Sequence, residues 1–233
     1  MKIQLYEHFL DLIFPKTCGY CEKITLNNGY ICNECREKYI YEFQNKCKLC
    51  GKTTYNIYDI CNECIGKRIY YSSLRYVTFY EDIMKQRITE YKFFEKKYLS
   101  HFFAEIILNN VEKFEADLLI PVPIGKKRKL ERGYNQSDLI AKELAQKWDI
   151  KFEPNVLKKV KETPKQSKLT ARERQKNIKN AFEVIDLDRV KGKKVILFDD
   201  IFTTGATVNE ISRLLIKCGA NAVNIIVIAR GHG

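Results

Sequence analysis

Nowhere does the chain hold ~18 consecutive apolar residues, so no helix of it is expected to cross a membrane. A secretory signal is equally hard to find. The opening MKIQLYEHFLDLIFPK has its apolar stretch broken by Glu7, His8 and Asp11, and it offers no small-residue cleavage site. A cytoplasmic location is therefore expected. Acidic residues are scarce in two further places. Residues 126–132 set Lys126, Lys127, Arg128, Lys129 and Arg132 against Glu131 alone, and residues 158–179 set nine cations against Glu162 and Glu173. These segments carry local excesses of +4 and +7 in a chain whose net charge is +12. Charge gathered in this way, rather than spread as a solvated coat, points to a phosphate partner: a nucleotide, a sugar phosphate or a nucleic acid.

What is present suffices for a folded protein. With 233 residues, 45% of them apolar and 30% charged, there is room for one to two domains with a real core. Eight of the nine cysteines form four Cys-x-x-Cys pairs: Cys18/Cys21, Cys32/Cys35, Cys47/Cys50 and Cys61/Cys64. Two thiolates on one tight turn supply half of a tetrahedral zinc site, and a second turn supplies the rest. Four turns make two structural sites. Disulfides are disfavoured without a secretory signal, and a redox dithiol would occur once. Consecutive pairing makes each half, 18–35 and 47–64, one ribbon of an internal repeat; an interleaved arrangement also satisfies the count. Residues 16–66 are poor in aliphatic side chains, so metal stands in for a core and is expected to hold this module folded by itself. Its cations and acids balance, and eight thiolates with two Zn2+ leave it net negative. That favours a structural or protein-docking role over contact with a phosphate backbone.

The flanking segments read in turn. Residues 3–14 have helical spacing of Leu5, Phe9, Leu12 and Ile13. Leu74–Tyr80 reads as a strand, residues 81–94 and 96–109 as helices, and Leu118–Val122 as a short buried strand. Ser137 is expected to cap a helix running to Trp148. Residues 161–177 have almost no apolar content and read as a long loop. Lys194–Phe198 is a buried strand. A helix from about Thr207 carries Val208, Ile211, Leu214, Leu215 and a core Cys218, and Val223–Ala229 is the last strand. Strands alternating with helices mean a parallel sheet covered on both faces.

The chemistry concentrates in Val195-Ile-Leu-Phe-Asp-Asp-Ile-Phe-Thr-Thr-Gly-Ala-Thr-Val208. A buried strand runs into adjacent carboxylates, Asp199 and Asp200, and a Thr- and Gly-rich loop then opens a helix. The carboxyl end of a parallel strand is where α/β proteins bind ligands. A helix N-terminus favours phosphate, and Gly205 lets the backbone come close to it. Thr203, Thr204 and Thr207 add hydroxyl donors. Ionised carboxylates only accept hydrogen bonds, so the acidic pair suits sugar hydroxyls. Phosphate plus vicinal diol describes a ribose 5-phosphate.

This run resembles the phosphoribosyl pyrophosphate (PRPP) loop of type I phosphoribosyltransferases. More narrowly, the chain resembles the ComF/ComFC family of competence proteins. The family-like features are Leu12-Ile-Phe-Pro-Lys-Thr-Cys18, the double ribbon, Ile120-Pro-Val-Pro-Ile124, Glu131-Arg-Gly-Tyr-Asn-Gln136, and Thr163-Pro-Lys-Gln166 through Leu169, Arg174 and Asn177 to Ala181-Phe182. The resemblance implies a zinc-ribbon module over 1–68 and a phosphoribosyltransferase-like domain over 69–233. It implies that Asp199 and Asp200 take the ribose hydroxyls, and that Thr203, Thr204, Gly205, Ala206 and Thr207 hold the 5-phosphate. Ile124, Gly125, Lys126 and Arg132 would lie at the pyrophosphate, with Mg2+ on its oxygens. Base recognition in type I enzymes uses a hood, which is expected here from residues 70–100. The function so implied is a PRPP-binding competence protein that handles incoming single-stranded DNA in the cytoplasm, beside other DNA-uptake proteins. The alternatives are an active phosphoribosyltransferase (glycosyltransferase class) of nucleotide metabolism and a PRPP-sensing adaptor. Lys126, Lys127, Arg128, Lys165, Lys168, Arg172 and Arg174 are the expected DNA contacts, on the charge arithmetic.

Overall fold

The computed structural model describes residues 15–25, 29–39, 45–55, 59–162 and 177–231. The helix expected over 3–14 lies outside the described residues, as do Lys165, Lys168, Arg172 and Arg174 and nearly all of the loop expected over 161–177. Within the first ribbon a short helix α1 spans Asn33–Tyr39. The rest runs β1 (Ser73–Phe79), α2 (Asp82–Phe93), α3 (Leu99–Asn110), β2 (Leu118–Pro121), α4 (Lys126–Arg132), α5 (Gln136–Trp148), β3 (Lys151–Phe152), β4 (Leu157–Lys159), β5 (Phe182–Val184), β6 (Lys194–Phe202), α6 (Ala206–Lys217) and β7 (Ala222–Arg230).

Five strands form one parallel sheet in the order β1-β7-β6-β2-β3. Its central strands carry the apolar runs Val195–Phe198 and Ile225–Ala229 because both faces are covered there. Ile196 and Phe198 of β6 pack toward α2, α3 and α5, and Val195 and Leu197 pack toward α6. An antiparallel hairpin, β4 with β5, closes over the α6 side. The polar character of the 158–179 segment hides this hairpin, whose apolar contribution comes from buried Leu157 and Phe182 and from half-buried Val184.

Several local readings change. The cap of α5 is Asn135, not Ser137: the Asn135 Oδ1 accepts from the Ser137 N–H at 3.3 Å, while its Nδ2 donates to the Val122 carbonyl at 3.2 Å. An Asn that also ties down the chain leaving the preceding strand outcompetes a Ser two residues later. Cys218 is half-buried at the end of α6, against the core rather than in it. The basic stretch 126–132 is a short helix, closed by Gly133 at φ +74°.

The two ribbons are not free-standing. The first sits on the α2–α3 face. Cys18, Tyr20, Ile31 and Cys35 belong to one apolar cluster with Phe102, Phe103 and Ile88. Tyr20 stacks on Tyr39 at 4.8 Å and meets the edge of Phe102 at 4.9 Å. Phe102 lies so close under Gly19 that a Cβ there would stand 2.1 Å from its ring, so only glycine fits. Arg87 donates to the Tyr20 carbonyl at 3.0 Å and pairs with Glu22 at 2.6 Å. The second ribbon packs on the opposite face, with Leu49 and Cys50 against the α6-side core. Leu74 N–H donates to the Lys48 carbonyl at 2.7 Å, Tyr76 Oη to that of Gly51 at 2.8 Å, and Arg230 Nε to that of Cys50 at 2.6 Å. Metal thus organises modules whose apolar contacts are completed by the sheet domain. Phe102→Ala should therefore cost about 3–5 kcal/mol in chemical denaturation and also weaken zinc retention at the first ribbon, read by competition with a chromophoric chelator. Unchanged zinc retention would mean that the ribbon folds independently of its seat.

Candidate functional site

The cysteines fall into two groups, Cys18/Cys21/Cys32/Cys35 and Cys47/Cys50/Cys61/Cys64, with the sulfurs of each group within 4.8 Å of one another. This is the consecutive pairing. Cys21 and Cys32 Sγ are 3.8 Å apart, and Cys50 and Cys61 Sγ 3.5 Å. The edge of a tetrahedron with Zn–S of about 2.3 Å is roughly 3.8 Å, so the donor sets fit zinc. The repeat extends to the backbone. Cys18 N–H donates to the Lys23 carbonyl and Cys47 N–H to that of Lys52; the bridges Thr17–Ile24 and Lys46–Thr53 occupy equivalent places. Burial opposes the Cys47 thiolate, but backbone donors from Cys61, Cys50 and Leu49 outweigh it and bring the thiol down to about 7. Cys18 is lowered by the same kind of amides, against the same burial. Metal analysis of the purified chain should give about two zinc per chain; a ratio near one would remove one of the two sites.

The second constellation lies at the carboxyl ends of the strands. A cavity of about 310 Å³ is lined by Asp199, Asp200, Thr203, Thr204, Gly205, Ala206 and Thr207, by Ile124 after β2, and by Tyr80 after β1. That volume is within the range of small-molecule sites. β6 continues through both acids, so strand pairing with β7 fixes their backbone. Asp199 Oδ1 accepts from the Asp200 N–H at 2.9 Å. Gly205 has φ +75°, and a Cβ there would stand 2.8 Å from the Phe202 ring, so the turn into α6 requires glycine. It offers no side-chain cap. The Ala206 N–H meets the Thr204 hydroxyl at 3.4 Å, and Thr207 and Val208, whose N–H groups have no intrahelical acceptor, line the cavity.

Four cations face this loop. Lys92 of α2 pairs with Asp200 at 2.5 Å, and Arg128, Arg132 and Lys159 line the same cavity. Burial pushes Asp199 up to about 7, with the Asp200 charge adding to the shift and Lys92 opposing it. Burial lowers Lys159, and burial likewise lowers Arg132 against the pull of Asp200. A carboxyl whose folded pKa lies above its unfolded one stays protonated in the folded state to higher pH. Stability is then lost as pH rises from the ordinary carboxylate range to about 7.

Residue by residue, α4 divides its charges. Arg128 and Arg132, one turn apart, face the cavity, whereas Lys126, Lys127 and Lys129 are exposed. Of the expected pyrophosphate set, Ile124 and Arg132 line the cavity; Gly125 and Lys126 do not. Gly125 instead lies against the Glu162 carboxylate, which also accepts from the Lys127 N–H at 3.1 Å. Arg128, one of the expected DNA contacts, stands in the cavity wall. Lys92, Lys159, Tyr80 and Gln136 are additions. Lys92 is invisible in sequence, being one of three cations in a helix far along the chain from the acids; Lys159 belongs to a visible basic segment. The Glu131–Gln136 motif gains a structural account. Arg132 donates to Gln136 Oε1 at 2.9 Å, Tyr134 Oη to the Tyr91 carbonyl at 3.0 Å, and Asn135 caps α5. The Gln136 Nε2 is buried in the cavity wall with no hydrogen-bond partner among the described residues.

From this balance, Asp199→Asn should raise the melting temperature at pH 8 and raise it distinctly less at pH 5. It removes a carboxyl whose cost to folding grows from the ordinary carboxylate range up to about 7. Equal effects at both pH values would refute the raised pKa.

The chain matches two family models: Double zinc ribbon domain over residues 9–65 and Phosphoribosyl transferase domain over residues 135–233. It is 41% identical over 115 residues to Competence protein F of Haemophilus influenzae, covering 49% of this chain and 50% of that protein. It is 37% identical over 114 residues to DNA utilization protein YhgH of Escherichia coli, 49% of each. It is 30% identical over 151 residues to Competence protein ComFC of Bacillus subtilis, 64% of this chain and 60% of that one. The chain thus spans about half the length of the first two relatives. Over about half to two thirds of its length the chain is thus similar to these competence and DNA-utilization proteins, and it joins a zinc ribbon domain to a phosphoribosyltransferase-like fold.

Proposed function

We propose that the protein binds PRPP with Mg2+ and works in natural transformation, handling incoming single-stranded DNA in the cytoplasm beside other DNA-uptake proteins. The observation that carries the PRPP half is the cavity itself: adjacent carboxylates beside a helix-opening Thr/Gly loop, ringed by Lys92, Arg128, Arg132 and Lys159. Asp199 and Asp200 accept from the ribose hydroxyls. The amides of α6 with Thr203, Thr204 and Thr207 hold the 5-phosphate. Arg128, Arg132 and Lys159 stand ready for the pyrophosphate, and Mg2+ supplies charge neutralisation at its oxygens. Ribose hydroxyls on Asp200 release the Lys92 ammonium for the same anion. The buried Gln136 Nε2 is costly without an acceptor, and a bound ligand oxygen supplies one. The competence half is supported by the names of the relatives, two of which are competence proteins and one a DNA utilization protein.

Asp199→Asn with Asp200→Asn should abolish heat on titration with Mg–PRPP while the circular dichroism spectrum is unchanged. Amides fill the same space but accept hydroxyls less well and carry no charge. Binding at unchanged affinity would overturn the ribose assignment. Because Asp199 titrates near 7, wild-type affinity for PRPP should rise as pH increases from 6 to 8.

A further inference from the structure

The end of α2 carries an exposed aromatic pair that packing does not explain. Phe93 is 59% exposed and Phe94 67%, at the point where the helix stops. Exposed aromatic clusters of this kind mark binding surfaces. Phe93 is also not alone. The Arg132 guanidinium lies over its ring at 4.7 Å, and beside it the Lys97 ammonium lies over the Tyr134 ring at 4.9 Å. Tyr134 in turn meets Tyr91 edge-on and donates to its carbonyl, which fixes the patch to the α2 backbone. Arg132 belongs to both this patch and the cavity wall, so the patch sits at the cavity mouth. Alongside runs α4, no residue of which is buried, presenting Lys126, Lys127 and Lys129 to solvent. Glu95, Glu131, Asp138 and Glu162, whose carboxylate accepts from the Lys127 N–H, are the neighbouring acids, fewer than the cations Lys97, Lys126, Lys127, Arg128, Lys129 and Arg132.

We infer that Phe93 and Tyr134 form a stacking platform for the unpaired bases of single-stranded DNA, whose phosphates run along the outer face of α4. A π-face beside a row of cations is the chemistry by which proteins hold single strands. Duplex DNA keeps its base faces stacked and cannot use an exposed ring. A free nucleobase would need enclosure, which this open surface does not supply, and would leave the α4 lysines without a partner. An acidic protein segment would use the lysines but not the rings. The inference rests on the proposed handling of single-stranded DNA and names where the strand lies.

The test is fluorescence anisotropy of the full chain with a labelled oligothymidine and with an abasic strand of equal length, across a salt series. Wild type should prefer the strand with bases. Phe93→Ala should lose about tenfold on oligothymidine, the scale of one stacked base, and lose nothing on the abasic strand. Phe93→Trp should restore the preference. Changing Lys126, Lys127 and Lys129 to Ser should leave the preference but flatten the salt slope by about 2, each contact contributing about 0.7. Undiminished preference for bases in Phe93→Ala overturns the platform while leaving DNA handling intact. Failure of wild type to bind either strand overturns both. Displacement of the strand by free thymine at millimolar concentration overturns the platform in favour of a small-molecule base subsite.

Discussion

Two carboxylates adjacent on a strand that is buried on both faces repel one another in a medium that screens poorly, and the rest of the cavity answers that constraint. The two side chains leave β6 on opposite faces of the sheet, from a backbone held by β7 at the sheet's carboxyl edge, so each acid needs its own countercharge. Countercharge therefore comes from elsewhere in the chain. Lys92 arrives from α2 on one face, Lys159 from the β4–β5 hairpin on the other, and Arg128 and Arg132 from α4 across the mouth. The balance is incomplete: Asp199 remains raised to about 7 by burial and by Asp200. A site left in that state is destabilising without a ligand and is well suited to an incoming group that brings hydroxyl donors or a divalent cation.

The zinc ribbons follow a different logic, in which a metal replaces an apolar core and the sheet domain supplies the remaining contacts. Gly19 over Phe102 and Gly51 over Tyr76 are close approaches that allow each Cys-x-x-Cys turn to lie against an aromatic ring. The second ribbon also reaches toward the loop that opens α6. Tyr71 donates to the Leu49 carbonyl at 2.7 Å, and its Oη lies within contact range of the space beside Gly205. Asn209, one turn into α6, accepts from the Tyr70 N–H at 2.8 Å and donates to the Arg68 carbonyl at 3.0 Å. The connection leaving the last zinc turn is thereby fastened to the helix whose N-terminus faces the cavity.

Charge counting along the chain located basic segments but not their division of labour. Residues 126–132 form one helix, and the helical period separates Arg128 and Arg132, on the cavity side, from Lys126, Lys127 and Lys129, on the solvent side. A linear sum of charges treats these five as equivalent because it has no period in it. Similarly, Asn135 and Ser137 are both good caps by residue type. Asn135 won because its amide also reaches the Val122 carbonyl, a contact set by how α5 docks on β2.

Cysteine spacing by itself determined that there are two four-sulfur sites, since ligand chemistry is local and each Cys-x-x-Cys turn is complete within four residues. The Val195–Val208 run likewise determined the strand, the acidic pair and the phosphate-type loop, because all three are contiguous and each depends on near neighbours. Only the tertiary structure decided what surrounds them. Lys92 meets Asp200, Arg132 covers Phe93, and the ribbons take opposite faces of the sheet through contacts between residues far apart in sequence. No spacing rule encodes such pairs. They follow from the order in which parallel strands assemble and from which helix face the sheet leaves turned toward its carboxyl ends.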